Sequence, residues 1–464
     1  MNTNKLFRGK VKRIHFVGIG GIGMSGIAEV LLRMGFDVHG SDMKSGENID
    51  RLRQSGAVIH IGHAAENVDE ADVVVMSSAV TEDNVEIIQA QNQQIPVIPR
   101  GEMLAELMKM QHGVAVAGTH GKTTTTSLIS AILTDAELDP TVVIGGKVNQ
   151  FGSNAHFGRG SYFVAEADES DGSFARLHPT IAIVTSVDLE HVDYWTGGLQ
   201  EIQDAFVQFL NKVPFYGVVV LCIDDDNIQA LLPRLKRRVV TYGHSRQANY
   251  QVSRVKQEGL VSSFQVHHDG RPCGEIKLQM VGNHNVLNSL AALAVADELG
   301  VSFEQCKKAL ERFEGVDRRF SLRGEVNGIC VIDDYGHHPT EIKTTLAGLK
   351  DAMPGRRVIA VFQPHRYSRT KHLMKDFAKS FYDADIVVLA DVYPAGEEPI
   401  EGASSQALMD ELRAFGHKHV ELGGKPQAIP QYLETLTESG DIVITLGAGD
   451  VTRIGPQFVD RLKK

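Results

Sequence analysis

Cysteine is scarce in this chain of 464 residues, and its four cysteines suggest no cross-link. Cys222, Cys273, Cys306 and Cys330 are scattered and none forms a CxxC pair, so neither a disulfide framework nor a structural zinc site is predicted. A chain of this length can bury several hydrophobic cores and does not need disulfides or a structural metal to fold. We interpret the cysteines as buried free thiols in a reducing compartment.

Long apolar runs and an excess of positive charge are also absent. No run of about 18 apolar residues occurs, and no apolar segment follows the first residues, so we expect a cytoplasmic protein without a membrane partner. The 47 Lys and Arg residues against 58 Asp and Glu residues leave a net charge of −11. Such a field repels nucleic-acid phosphates, so nucleic acid is not an expected partner. A local basic pocket for a phosphorylated small molecule is compatible with this charge.

Apolar runs of strand length alternate with helical stretches along the whole chain, and the length predicts about three domains. We predict three successive α/β domains: a Rossmann-like domain over residues 1–107, a P-loop ATPase-like domain over 108–315 and a Rossmann-like domain over 316–464. Continuous β-branched runs are typical of parallel strands covered on both faces. The predicted strands are Arg13–Gly18, Asp37–Gly40, Asp72–Ser77, Gly113–Ala117, Val142–Ile144, Tyr162–Ala165, Ile181–Thr185, Gly217–Cys222, Cys330–Asp333, Val358–Phe362, Ile386–Ala390 and Ile442–Leu446. Helices are predicted at Gly23–Met34, Thr125–Leu133 and Asn288–Leu299.

A first glycine-rich loop, Gly18–Gly23, fits the GxGxxG pattern between a predicted strand and a predicted helix. Glycines let the backbone approach a diphosphate, and an acid such as Asp42, roughly 19 residues further on, can accept a ligand hydroxyl. Taken alone the loop is compatible with a nicotinamide-dependent dehydrogenase or with a tight turn that binds nothing. It predicts a diphosphate near residue 20 without naming the nucleotide.

A second glycine-rich loop, Gly118–Thr124 (GTHGKTT), again lies between a strand and a helix. Its amides can cradle phosphates, Lys122 supplies a compact cation, and a hydroxyl is available to Mg²⁺. The loop is shorter than the usual P-loop pattern. Two phosphate loops about a hundred residues apart favour ATP-driven chemistry over hydride transfer, because a dehydrogenase does not need the second loop.

Acidic and histidine residues follow the next two predicted strands. Glu166 stands at the carboxyl end of Tyr162–Ala165, where P-loop enzymes hold Mg²⁺, although a solvated acidic turn would look the same. His191 follows the strand after that, and we favour a metal or catalytic role over a purely structural one. Further polar clusters stand at Gly282–Asn285, Asp317–Phe320, Asp333–Pro339 and Gln363–Arg369. The last two follow strands, as ligand sites do in parallel sheets.

The motifs together resemble those of the Mur ligase family, and they fall in order along essentially the whole chain. They are Gly118–Thr124, Glu166–Phe174 (EADESDGSF), Gly282–Asn288 (GNHNVLN), Asp317–Phe320 (DRRF), Asp333–Glu341 (DDYGHHPTE) and Phe362–Thr370 (FQPHRYSRT). The opening segment and DDYGHHPTE are most similar to the members that add L-alanine. The chain departs from the family at Ser186 and Glu190, where Asn and Asp are common, so no role is assigned to those two positions.

The resemblance implies an ATP-dependent ligase that joins L-alanine to the carboxylate of UDP-N-acetylmuramate through an acyl phosphate. The first domain would bind the UDP-substrate through Gly18, Gly20, Gly21, Gly23, Asp42 and Ser77. ATP would be bound by Gly118, Thr119, His120, Gly121, Lys122, Thr123, Thr124, Asn283, Arg319 and Asp334. One or two Mg²⁺ ions would be held by Thr123, Glu166 and His191. Tyr335, His337, His365, Arg366 and Arg369 would form the amino-acid pocket, and Lys122, Glu166, His191, Arg319 and His337 would be catalytic.

The sequence leaves three alternatives open, one of which is a nucleotide sensor without catalysis, although the presence of Lys122, Glu166 and His191 argues against it. Another amino acid or a peptide could replace L-alanine, because selectivity for one methyl group is not legible in the sequence. A dehydrogenase built on the first glycine loop is the third alternative. We expect a monomer or a weak homodimer.

Overall fold

The computed structural model describes residues 11–148, 153–170, 172–189 and 194–464. Within these residues lie three β-sheets with their helices, in the order of the three predicted segments, so the predicted succession of α/β domains is confirmed. The chain divides into two compact units, the first made of residues 1–253, 265–276 and 287–314 and the second of residues 254–264, 277–286 and 315–464. The predicted boundaries at residues 107 and 315 stay predictions. None of the helices in the described residues has the length and apolar character needed to cross a membrane.

The first sheet has five parallel strands in the order β3-β2-β1-β4-β5. They are β1 (Arg13–Val17), β2 (Asp37–Asp42), β3 (Val58–Ile61), β4 (Val73–Met76) and β5 (Val97–Pro99). Its helices are α1 (Ile22–Met34), α2 (Glu47–Gln54), α3 (Val85–Asn92) and α4 (Arg100–Met108). Because the strand order reverses beside β1, the carboxyl ends of β1 and β4 border a crevice of the kind that binds nucleotides in such sheets.

The second sheet has ten strands in the order β15-β14-β13-β12-β11-β10-β6-β9-β7-β8. They are β6 (His112–Ala117), β7 (Thr141–Val148), β8 (Ser153–His156), β9 (Tyr162–Glu166), β10 (Ile181–Val184), β11 (Val218–Cys222), β12 (Val239–Gly243), β13 (Tyr250–Glu258), β14 (Val261–His268) and β15 (Arg271–Leu278). Its helices are α5 (Lys122–Asp135), α6 (Gly198–Leu210), α7 (Asp226–Gln229), α8 (Asn283–Glu298) and α9 (Phe303–Arg312). β6 pairs in parallel with β9 on one side and β10 on the other, so the loops that follow these three strands meet at one edge.

Helix α5 begins three residues earlier than predicted, at Lys122 instead of Thr125. Threonine is a poor helix former because its hydroxyl competes for backbone groups. Here the hydroxyl of Thr126 donates to the carbonyl of Lys122 at 2.8 Å, and that of Ser127 donates to the carbonyl of Thr123 at 2.7 Å. The hydroxyls are therefore satisfied within the helix. The Ala-rich helix is also longer than predicted, since α8 begins at Asn283.

The third sheet has the order β16-β17-β21-β18-β19-β20, and its strands are parallel apart from the edge strand β16. They are β16 (Ser321–Val326), β17 (Ile329–Asp334), β18 (Val358–Phe362), β19 (Ile386–Ala390), β20 (Val420–Gly424) and β21 (Ile442–Leu446). Its helices are α10 (Pro339–Ala352), α11 (Tyr367–His372), α12 (Met374–Ala378), α13 (Ser405–Ala414), α14 (Ile429–Leu436) and α15 (Ile454–Leu462). Buried apolar side chains cover both faces, as the continuous apolar runs predict.

A polar seam joins helix α1 of the first sheet to β8 of the second sheet, within the first compact unit. Ser153 donates its hydroxyl to the buried carboxylate of Glu29 at 2.9 Å, and the guanidinium of Arg51 donates to the side-chain oxygen of Asn154 at 2.6 Å. Asn154 in turn donates to the carbonyl of Ile22, at the start of α1. The helix that follows the first glycine loop is therefore anchored to the sheet that carries the second.

Candidate active site

A cavity of about 590 Å³ lies at the first glycine loop. Five of the six residues predicted to bind the UDP-substrate line it: Gly18, Gly20, Gly21, Asp42 and Ser77. Gly18 has a φ of 82°, a left-handed conformation that favours glycine at this turn. Gly23 is not among the residues that line the cavity.

Asp42 braces the glycine loop from the end of β2. Its Oδ2 accepts a hydrogen bond from the amide of Gly20 at 2.9 Å, and Asn48 donates to the carbonyl of Gly20 at 2.9 Å. A Cβ at residue 20 would lie 2.9 Å from that same Asp42 oxygen, so a larger residue would disturb this hydrogen bond. The predicted bond from Asp42 to a ligand hydroxyl stays a prediction.

A buried carboxylate, Glu86, lies behind one wall of this cavity. Its Oε2 accepts from the hydroxyl of Ser41 at 2.5 Å and lies 3.4 Å from Nδ1 of His63, which lines the cavity. It also lies 3.3 Å from Nε2 of His15, and Oε1 accepts from Asn67 at 2.5 Å. Burial alone would raise the pKa of Glu86, but the hydrogen bonds from His15, Ser41 and Asn67 outweigh it and lower the pKa to about 2. The carboxylate therefore holds the wall in a fixed arrangement.

The second glycine loop follows β6, the strand flanked by β9 and β10. Gly118 and Gly121 have φ values of 120° and 81°, which favour glycine, and Gly121 is the N-cap of α5. The loop after β10 supports this backbone: the carbonyl of Ser186 accepts from the amide of Thr119 at 2.9 Å, and its hydroxyl accepts from the amide of His120 at 3.0 Å. The helix N-terminus and the loop amides form an arrangement suited to phosphate.

Lys122 is held beside an acidic loop that follows β9. Its Nζ donates to Oε1 of Glu169 at 2.8 Å and to the carbonyls of Gly118 at 2.6 Å and Thr119 at 3.2 Å. Burial raises the pKa of Glu169 to about 7, with Lys122 opposing the rise. The carbonyl of Glu169 accepts from the indole nitrogen of Trp195 at 3.1 Å, so this loop is fixed at both its side chain and its backbone.

Glu166 and Thr123 offer oxygen ligands at the same edge of the sheet. Glu166 ends β9 in register with Val116 of β6, and Thr123 lies in the first turn of α5. A Cβ at Gly145 would lie 2.6 Å from Oε2 of Glu166, so a larger residue there would displace the carboxylate. Hydroxyl and carboxylate oxygens suit Mg²⁺. His191, the third predicted ligand, lies outside the described residues, among which no cluster of three or more His, Cys, Asp or Glu could hold a metal.

Asp334, at the end of β17, fixes two loops of the third sheet. Its buried carboxylate accepts from the amide of Phe320 at 2.8 Å and from the amide of Gly336 at 2.7 Å. Burial raises the pKa of Asp334, and these amides and Arg319 oppose the rise. Arg318 and Phe320 have φ values of 60° and 51°, so the Asp334 clasp holds a backbone that is unfavourable for these residues. Direct contact of Asp334 with ATP stays a prediction.

The aromatic and imidazole rings predicted for the amino-acid pocket lie in one row. The ring centroids of Tyr335 and His337 are 5.3 Å apart, those of His337 and His365 6.0 Å, and those of His365 and Tyr393 5.4 Å. The guanidinium groups of Arg318 and Arg319 lie over Tyr335, at 4.9 Å and 5.2 Å from its centroid. The structure therefore brings together side chains from the ends of β17 and β18.

Both histidines of this row are held neutral. Burial lowers the pKa of His337 to about 3, with Arg369 lowering it further and Glu341 opposing. Burial together with Arg369 and Arg366 lowers the pKa of His365 to about 4. The predicted pocket thus combines uncharged imidazoles with two arginines. Asn283, also predicted to bind ATP, is the first residue of α8.

Comparison with known sequence families matches three successive segments that together cover most of the chain. Residues 13–112 match the family described as "Mur ligase family, catalytic domain". Residues 116–296 match "Mur ligase middle domain", and residues 318–449 match "Mur ligase, glutamate ligase domain". This chain belongs to the Mur ligase family. The UDP-N-acetylmuramate–L-alanine ligase of Geobacter sulfurreducens is 54% identical to it over 456 residues, which are 98% of this chain and 99% of that one.

Solved structures of other Mur ligases share the fold. The UDP-N-acetylmuramate–alanine ligase of Thermotoga maritima superimposes with a TM-score of 0.83 at 32% identity, over 97% of this chain and 99% of that one. The UDP-N-acetylmuramate:L-alanyl-γ-D-glutamyl-meso-diaminopimelate ligase of Neisseria meningitides gives a TM-score of 0.61 at 30% identity, over 66% of this chain and all of that one. The recognition of the family from the motifs is confirmed.

Several residues of this Mur ligase site were missed by the sequence reasoning. They are Glu86, Glu169, Ser186 and Tyr393, which hold His63, Lys122, the backbone of His120 and His365. Glu169 had a visible signal, since it belongs to the acidic run that begins at Glu166. No sequence signal marked Glu86, because a glutamate near the start of a helix is usually explained by its favourable interaction with the helix dipole.

Proposed function

We propose that this Mur ligase joins L-alanine to the carboxylate of UDP-N-acetylmuramate at the expense of ATP, releasing ADP and phosphate, in the synthesis of peptidoglycan precursors. The observation that carries the proposal is the 54% identity, over nearly the full length of both chains, to a UDP-N-acetylmuramate–L-alanine ligase. Two glycine loops, one facing the cavity at β1 and one ahead of Lys122, fit a nucleotide-linked acid and ATP.

The chemistry follows from the weakness of a carboxylate as an electrophile. A carboxylate oxygen attacks the γ-phosphorus of ATP, the bond to the bridging oxygen breaks, and ADP leaves an acyl phosphate behind. The amine of L-alanine then attacks the acyl carbon, and the tetrahedral intermediate expels phosphate. Such transfers depend on positioning and on neutralising charge more than on covalent help from the protein.

Lys122 would stabilise the transferred phosphoryl group, after exchanging part of its contact with Glu169 and the loop carbonyls for phosphate oxygens. Thr123, Glu166 and His191 would hold Mg²⁺. When bound, the ion supplies positive charge that offsets the charge of the phosphates. Asn283, Arg319 and Asp334 would serve the nucleotide.

The row of rings at β17 and β18 suits a zwitterionic amino acid. A guanidinium, from Arg366 or Arg369, pairs with the alanine carboxylate through two parallel hydrogen bonds. The alanine ammonium would be repelled by charged imidazoles, and the lowered pKa values of His337 and His365 keep both neutral near pH 7. His337 would therefore shape the pocket without repelling the ammonium of the bound amino acid. A cytoplasmic location and a monomeric or weakly dimeric state stay predictions.

The test is phosphate release from Mg-ATP with UDP-N-acetylmuramate, in parallel reactions with L-alanine, glycine, L-serine or the peptide L-alanyl-γ-D-glutamyl-meso-diaminopimelate. We expect release that requires both substrates and is fastest with L-alanine, and that is roughly a thousandfold slower in Lys122→Ala. Preference for the peptide would move the assignment to the activity named for the Neisseria protein. No release with any acceptor would overturn the proposal. The three family matches all belong to Mur ligases, which favours a ligase over a dehydrogenase.

A further inference from the structure

Arg100 explains the one glycine of the first loop that does not line the cavity. It is the first residue of α4, and its guanidinium lies against the first turn of α1. A Cβ at Gly23 would lie 2.5 Å from Nη1 of Arg100 and 3.2 Å from its Cδ. Glycine at this position therefore leaves room for the arginine, whose guanidinium a larger residue would displace.

On its other side Arg100 contacts the acidic loop that holds Lys122. Its Nη2 donates to Oδ2 of Asp168 at 3.1 Å, and the next residue, Glu169, is the partner of Lys122. The carbonyl of Asp168 accepts from the amide of Phe174 at 3.1 Å. One side chain thus spans the start of the glycine-loop helix and the loop that orients the phosphate-loop lysine.

The charges explain why an arginine is needed there. Two neighbouring carboxylates lie beside two cations: Asp168 contacts Arg100, and Glu169 contacts Lys122. The ion pair of Arg100 with Asp168 is partly shielded from solvent, since 20% of the arginine side chain and 36% of the aspartate side chain are exposed. Arg100 neutralises Asp168 and leaves the ammonium of Lys122 to Glu169.

We infer that Arg100 is a positioning residue that links the cavity of the first sheet to Lys122, so that binding of the nucleotide-linked substrate and binding of ATP favour each other. The inference rests on the proposed function for the identity of the two ligands. Two sites joined in this way share one coupling free energy, which changes each affinity by the same factor.

The chain offers a matched control. Arg176 also joins α4 to the turn Ser173–Arg176, through an ion pair of its Nη1 with Oε2 of Glu102 at 3.3 Å, but this pair is exposed. It carries the same charge in a neighbouring ion pair of α4, and none of the bonds of Arg176 among the described residues reaches Gly23 or Asp168. Arg176→Met therefore measures the effect of losing an ion pair there without losing the link to Lys122.

The experiment measures the dissociation constant of a non-hydrolysable ATP analogue with Mg²⁺ by calorimetry, with and without saturating UDP-N-acetylmuramate. In the unaltered protein the substrate should tighten nucleotide binding, by about fivefold or more. Arg100→Met and Gly23→Ala should bring this ratio close to one, and Arg176→Met should leave it unchanged. Asp168→Asn should give the same loss as Arg100→Met, and the double variant no further loss. Arg100→Lys should restore part of the ratio, since lysine keeps the charge without the fork.

Gly23→Ala guards against a trivial loss of folding, because alanine is the better helix former at a position inside α1. A wild-type ratio of one, a normal ratio in Arg100→Met, or an equal loss in Arg176→Met would each overturn the inference. If the unaltered protein binds neither UDP-N-acetylmuramate nor the ATP analogue, the proposed function fails instead. The two failures are therefore distinguishable.

Discussion

Replacing Glu86 by glutamine should destabilise the first sheet by an amount that depends on pH. The carboxylate accepts hydrogen bonds on both oxygens, and a glutamine would turn one acceptor into a donor that faces other donors. The pKa of Glu86 is lowered from 4.5 to about 2, which corresponds to roughly 3 kcal/mol of stability at neutral pH. Because the folded-state pKa lies below the ordinary one, this contribution is complete above pH 4.5 and is lost as the pH falls to about 2.

Equilibrium urea unfolding, followed by circular dichroism, measures the difference in unfolding free energy between Glu86→Gln and the unaltered protein. We expect roughly 3 kcal/mol near pH 7 and a clearly smaller difference near pH 3.5. Hydrogen exchange near pH 7 should place the loss in β2 and in the short helix Ala65–Val68, which contains Asn67, a donor to the carboxylate.

Glu82→Gln is the matched control, since Glu82 is exposed just ahead of α3, the helix that contains Glu86, and should change stability by less than about 0.5 kcal/mol. A difference for Glu86→Gln that stays constant from pH 7 to about pH 3.5 would refute the electrostatic argument. Unchanged stability near pH 7 would refute the structural one as well.

Three further predictions concern the proposed ligand sites. Lys122→Ala should lower kcat for phosphate release by roughly a thousandfold, while calorimetry shows UDP-N-acetylmuramate still bound. Asp42→Ala removes the acceptor of the Gly20 amide and should raise the KM for UDP-N-acetylmuramate by roughly tenfold, with the affinity for ATP analogue largely unchanged. The pKa of His365 lies at about 4, below the ordinary 6.5, so the folded protein loses stability as the pH falls from 6.5 towards 4. In His365→Asn the unfolding free energy measured in urea should fall by about 2 kcal/mol less over this pH range.

The strands of the third sheet show where sequence reasoning succeeds. The predicted bounds of β18, β19 and β21 are those of the structure, because each is a short run of apolar residues buried on both faces. The strands β13 to β15 were missed. In β13 the second half is largely exposed and carries charged residues, so neither a continuous apolar run nor a clean alternation marks it.

For the site, the sequence places polar motifs at strand ends but does not pair them. It predicts that the acidic run after β9 faces the phosphate loop, and the register of Glu166 with Val116 agrees. Which carboxylate of that run contacts Lys122 depends on the turn of the loop, which puts Glu169 there. The role of Gly23 was predicted from its motif, whereas its actual neighbour, Arg100, lies about 77 residues away and is brought there by the chain fold.

Trp195, whose indole donates to the carbonyl of Glu169, is the single tryptophan of the 464-residue chain. It is buried and packs edge-on against Phe174 and Tyr194. Fluorescence excited at the red edge of the absorption band therefore comes from one place, the loop that holds the phosphate-loop lysine. Binding of a ligand beside that loop can therefore be followed by tryptophan fluorescence in the unlabelled protein. Inhibitors that disturb the loop can be compared by the change that each causes in this emission.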